Sequence, residues 1–152
     1  MRLRPFAEAA SGSGELALKQ RYALPADFEA EIGILSEEEG GRSIPAFNGI
    51  RWDFAYGDLL PTDDQYMIWP DFMSGSGDSL ESDIPLSGTL RARMHIVNRD
   101  ARVTVHRPRI EVGVGFFCME GARQVARGVV TKVTGLADVA LDPEPGVDRG
   151  PP

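Results

Sequence analysis

The 152-residue sequence predicts a single all-β domain, a sandwich or a barrel, and three observations carry that prediction. Apolar residues alternate with polar ones over several short stretches, the period of a strand with one buried face. Turn residues punctuate these stretches at short intervals, and almost no segment shows the 3.6-residue spacing of an amphipathic helix. A chain of this length can bury roughly two-thirds of its unfolded surface around one core, without metal or disulfide support.

The elements follow in order. Ser11-Gly12-Ser13-Gly14 reads as a flexible tract, and Glu15 to Leu24 as a short helix capped by Ser13. Phe28, Ala30, Ile32 and Ile34 alternate with Glu29, Glu31 and Gly33 as a first strand, which the charged loop Ser36 to Ser43 ends. Ile50, Trp52, Phe54 and Tyr56 form the apolar face of a second. Tyr66 to Trp69 predicts a short strand cut off by Pro70 within the acidic stretch 59–83. From Thr89 to Val97, Leu90, Ala92, Met94 and Ile96 point inward, leaving Arg91, Arg93 and His95 on a cationic, solvated outer face. Arg102 to His106 reads as a brief strand before Pro108. Val112, Val114, Phe116 and Cys118 share one parity, Glu120 to Arg123 turns the chain, and Gln124 to Val133 returns as a hairpin partner with Val129 taken as inward. The run Asp142-Pro143-Glu144-Pro145-Gly146 has too few apolar residues to bury.

Charge is uneven beneath a net value of -7: residues 27 to 83 carry 2 Arg and 14 acids, whereas residues 84 to 136 carry 9 Arg and Lys against 3 acids. Such halves either neutralise each other across the fold or present faces of opposite sign. The single cysteine, Cys118, excludes an internal disulfide, and with Phe116 on its parity it reads as a core thiol. Two separated histidines, His95 and His106, give no zinc spacing. Neither Asp58, Asp63 and Asp64 nor Asp78, Glu81 and Asp83 match a calcium loop, so no metal or cofactor is expected. No apolar run reaches membrane-span length, and Met1 to Gly14 lacks a signal-peptide core, which predicts a cytoplasmic protein without membrane contact.

Two blocks carry a resemblance. Phe28-Glu29-Ala30-Glu31-Ile32 running into Ile34-Leu35-Ser36, then Glu39-Gly40-Gly41-Arg42 and Pro45-Ala46-Phe47-Asn48-Gly49-Ile50-Arg51, is similar to the opening of the third domain of elongation factor Tu. Met119 to Val125, followed by Arg127 to Val133, resembles that domain's closing hairpin. The resemblance covers residues 27–135 and implies a six-stranded antiparallel closed β-barrel, with 1–26 as an N-terminal extension and 136–152 as a flexible tail. This sequence has Ser43 and Ile44 where the family has a basic residue and a Thr or Ser. It carries Ile50-Arg51-Trp52-Asp53 for the family's Tyr-Arg-Pro-Gln, and Met119-Glu120-Gly121-Ala122-Arg123 for its Arg-Glu-Gly-Gly-Arg.

The family's GTPase domain needs a phosphate-wrapping loop ending in Gly-Lys, and no Gly-Lys pair occurs here, so no nucleotide binding is expected. The candidate partner contacts are Arg42, Arg51, Arg123 and Arg127 from the resembling blocks, and Arg91, Arg93 and His95 from the cationic strand face. No Ser-His-Asp or comparable constellation is identifiable, and none is expected to be catalytic. The expectation is a stand-alone, non-catalytic binding module that meets a component of the translation machinery, a protein in preference to tRNA, because a net charge of -7 opposes RNA. The alternative is a mimic of the factor, such as an immunity protein against a toxin that recruits it.

Overall fold

The computed structural model describes residues 19–58 and 64–139. Six strands, β1 (Phe28–Ile34), β2 (Trp52–Tyr56), β3 (Tyr66–Met73), β4 (Thr89–Ile96), β5 (Gly115–Glu120) and β6 (Arg123–Val133), form a closed antiparallel barrel in the order β1-β4-β3-β2-β5-β6. Closure comes from the long β6, which pairs with β5 on one side and β1 on the other. No sheet edge is left open, which is how a small all-β domain protects such apolar strands.

The interior is aromatic at its centre. Phe54 and Phe116 stack with centroids 4.7 Å apart, and Phe28 meets both edge to face at 6.1 and 6.2 Å. Ala30, Ile32, Ala92, Met94, Cys118 and Val130 pack around them, all buried. Ile34, Leu90 and Val114, expected in the core, lie at its margin and are partly buried. A bulge between Cys118 and Met119 places Val125 and Ala126 both against the core and resets the parity of β6. Val130 therefore faces inward, and Val129 is 37% exposed, against the expected orientation.

Further expectations are corrected. β3 does not stop before Pro70 but continues to Met73. The Met94 carbonyl accepts from Asp27 N on the β1 side, so Pro70, opposite Met94, has its nitrogen directed away from β4 and toward the β2 side. There β2 has already run out, pairing only with Tyr66 to Ile68, and the missing N–H leaves no ladder bond broken. Asn48 takes the place of the absent strand: its Oδ1 accepts from Phe72 N at 2.9 Å, and its Nδ2 donates to Leu80 O and to Asp71 Oδ1, each at 3.0 Å.

Arg102 to His106 is a π-helical turn, not a strand. It lies between α-helical turns Arg99–Ala101 and Arg107–Arg109, with the Asn98 side chain capping the start. Val112 lies in the turn before β5 and is 66% exposed. The part of the expected Glu15 to Leu24 helix that is described, from Lys19 on, is not helical; the rest, like Ser11 to Gly14 and residues 140–152, lies outside the described residues. Leu136, just past the expected barrel limit, is fully buried in a short 3-10 turn.

Candidate functional site

The two ends of the barrel differ. At one end, His106 and Leu136 cap the aromatic core, both buried. His106 Nδ1 lies 2.7 Å from the Tyr56 hydroxyl, and its ring meets Tyr66 edge to face at 4.7 Å. Burial holds the imidazole neutral, with its pKa lowered to about 4, and pushes the Tyr56 phenol well up. Arg109 closes over the Tyr56 ring, its guanidinium 3.6 Å from the centroid.

The opposite end is built from the two blocks singled out in the sequence. Ser36 caps the 3-10 turn Glu37–Glu39 in a reciprocal box with Glu39, which lowers the Glu39 pKa through bonds from the Ser36 backbone and hydroxyl. Gly40 then reverses the chain at φ +98°, and a Cβ on Gly41 would stand 2.3 Å from the Leu35 carbonyl oxygen. That close return delivers Arg42 to the β5–β6 turn. Its guanidinium pairs with Glu120, whose Oε2 also accepts from Trp52 Nε1 at 2.9 Å, while Arg123 donates to Gly41 O at 3.1 Å. Arg42 and Arg123 are thus brought together as the sequence suggested. Glu120 and Trp52 complete the cluster; sequence reading assigned them to a turn and to the core.

Beside this cluster lies a groove of about 350 Å³ between the 34–46 loop and residues 85–88. Leu35, Ala46, Trp52, Leu86 and Val125 form its apolar floor. Ile44 at the wall is 66% exposed, and Phe47 and Ile84 nearby are 38% and 43% exposed. Glu37 lines it, and Glu38 and Glu39 stand exposed in the same turn. Because the Arg42 charge is met by Glu120, the arrangement presents apolar contact area with an acidic rim. The groove was missed in the sequence because Ile44 and Ile84 sit in loops with no period to mark them.

The other candidates are scattered. Arg51 is exposed just before β2, with Nη1 3.0 Å from Met67 Sδ. Arg127 is exposed on β6 opposite Gly33 and Phe117, and Arg91 is exposed on β4 opposite Glu31, a cross-strand pairing of opposite charge. The expected cationic face of β4 does not exist. Arg93 and His95 are 7% and 9% exposed, because residues 19–24 and the 74–79 loop cover that side of the barrel.

Arg93 Nη1 donates to Gly77 O at 2.8 Å, and its guanidinium stands 3.6 Å from Asp71. Asp71 also accepts from Asn48 and Ser79, so the buried charges are paired, with Arg93 Nε alone of the guanidinium left without a partner among the described residues. Asp27 with Arg102 and Asp58 with Arg109 likewise join acids of the first half to arginines of the second. Among the described residues, three of the nine basic residues of the second half are thus paired with acids of the first.

Among the described residues no cluster of three or more His, Cys, Asp or Glu side chains could hold a metal ion, and no helix is long and apolar enough to cross a membrane. No protein-family model matches the chain.

Proposed function

We propose that this protein is a non-catalytic, cytoplasmic binding module of the elongation factor Tu third-domain type, and that its barrel-end groove receives a protein of the translation machinery. The observation that supports this most directly is the meeting of the two resembling blocks: Arg42 pairs with Glu120, and Arg123 bonds Gly41 O, beside an open apolar groove. In the full-length factor the corresponding barrel packs on a GTPase domain, which makes contact with another protein the use favoured for a surface of that kind.

A protein is favoured over tRNA because the phosphate-tracking face is lost: Arg93 and His95 are buried, and the overall charge is -7. The apolar floor supplies anchoring area, and Glu37 to Glu39 select a partner with basic residues around its apolar anchor. Affinity capture from the organism's own cytosol, with quantitative mass spectrometry, tests the proposal. A translation protein held by the wild type and lost with Ile44→Glu, but kept with Arg91→Glu, is the expected result. Identical retention by all three proteins, or capture of tRNA instead, would refute it.

A further inference from the structure

A second cleft lies on the barrel wall near the end capped by His106. Tyr22 stacks on Trp69 with centroids 5.8 Å apart and rings inclined by 23°, and it meets His95 edge-on at 4.9 Å. Leu24, Val97 and Arg99 complete an opening of about 310 Å³. Trp69 is 37% exposed and Leu24 66%, so this aromatic surface is uncovered among the described residues. Arg99 stands exposed at its edge and makes no ion pair among them.

We propose that this cleft is the docking site for the chain's own acidic, proline-bearing segment Asp142-Pro143-Glu144-Pro145. Three observations favour that occupant. A half-buried Tyr ring beside an exposed Trp ring is the kind of surface that extended proline segments use, because the preformed backbone loses little entropy on docking. Asp142 and Glu144 complement Arg99.

The third observation is position. The Asp27 carboxylate accepts from Ile96 N at the cleft wall, while its carbonyl accepts from Thr134 N and Leu136 N, so the last described residues leave from beside the cleft. Val139 O is held by Arg107 Nε at 2.7 Å. Arg107 and Arg99 are separated by about 12 Å of helical rise, and four to six further residues at ~3.1 Å each span that gap. Lys19, the first described residue, is bonded to Asp78 and Glu81 at the far end, so the N-terminal side leaves from farther away than the C-terminal side. A tether this short gives an effective concentration on the order of mM, so contacts too weak for a free peptide suffice.

The test uses the full chain carrying Gly146→Cys labelled with bimane, whose emission is quenched by a tryptophan in contact. Cys118 is fully buried and stays unlabelled in the native protein, and Trp52 lies in the core toward the other end. Emission should be quenched in the labelled chain and recover with Trp69→Phe, with Leu24→Glu and with Pro143→Ala/Pro145→Ala, the last of which leaves the barrel untouched. Equal emission with and without Trp69 would overturn the proposal, as would quenching that survives the double proline variant. Absent quenching together with a Trp69 emission shift on adding a separate acidic proline peptide would assign the cleft to another partner.

Discussion

Acid should unfold this protein through one residue more than any other. His106 is 1% exposed, bonded to the Tyr56 hydroxyl, and ringed by Phe54 and Tyr66. Burial lowers its pKa from 6.5 to about 4. The unfolded chain therefore takes up a proton as the pH drops below 6.5, while the folded chain resists until about 4. Stability contributed by the neutral imidazole is fully present above 6.5 and is lost progressively toward 4; a shift of this size corresponds to about 3 kcal/mol. That is a large share of the net stability of a small domain.

Urea unfolding at pH values from 4 to 7.5, for wild type and His106→Gln, isolates the effect, because the glutamine can keep a bond to Tyr56 without titrating. Burial of His95 depresses its pKa in the same sense, but that contribution is common to both proteins and cancels. The advantage of wild type over the variant should shrink by about 3 kcal/mol between pH 7 and 4. A difference that stays constant over that range would refute the reasoning.

Three further outcomes are expected. Val130→Asp should cost several kcal/mol, since Val130 is buried, whereas Val129→Asp should cost under about 1 kcal/mol; thermal melts compare them. Asn48→Ala should destabilise by about 2–4 kcal/mol in the same assay, because Phe72 N–H and an Asp71 oxygen lose their buried partner. Cys118, fully buried with its thiol pKa pushed far up, should react with a thiol reagent only as fast as the protein opens, followed by labelling across a denaturant series.

The strands were legible because each buries one face, and alternation records that directly: Phe28, Ala30 and Ile32, Trp52, Phe54 and Tyr56, and Ala92, Met94 and Ile96 are buried as their spacing implies. What alternation cannot record is a second layer outside the barrel. Arg93 and His95 have the parity of solvent-facing residues, and only the irregular segment of Lys19 to Leu24 and the 74–79 loop make that side buried. The continuation of β3 through Pro70 depends on where β2 ends and on Asn48, both non-local facts.

The helical passage of 99–109 was hidden by Val103, Thr104, Val105 and Pro108, residues of poor helix propensity that tertiary contacts override. Of the candidate site, the arginines of the two resembling blocks were visible. The groove beside them was not, because loops that meet only in three dimensions form it.

The central claim is that the groove end, not the strand face of β4, meets a protein. Photocrosslinking in the organism's own cells, from a benzoyl-phenylalanine placed at Ile44 or at Arg91, tests it most directly. One discrete protein adduct from position 44, absent from position 91 and identified as a translation component, is the predicted result. An RNA adduct from either position, or the same adducts from both, would contradict the account.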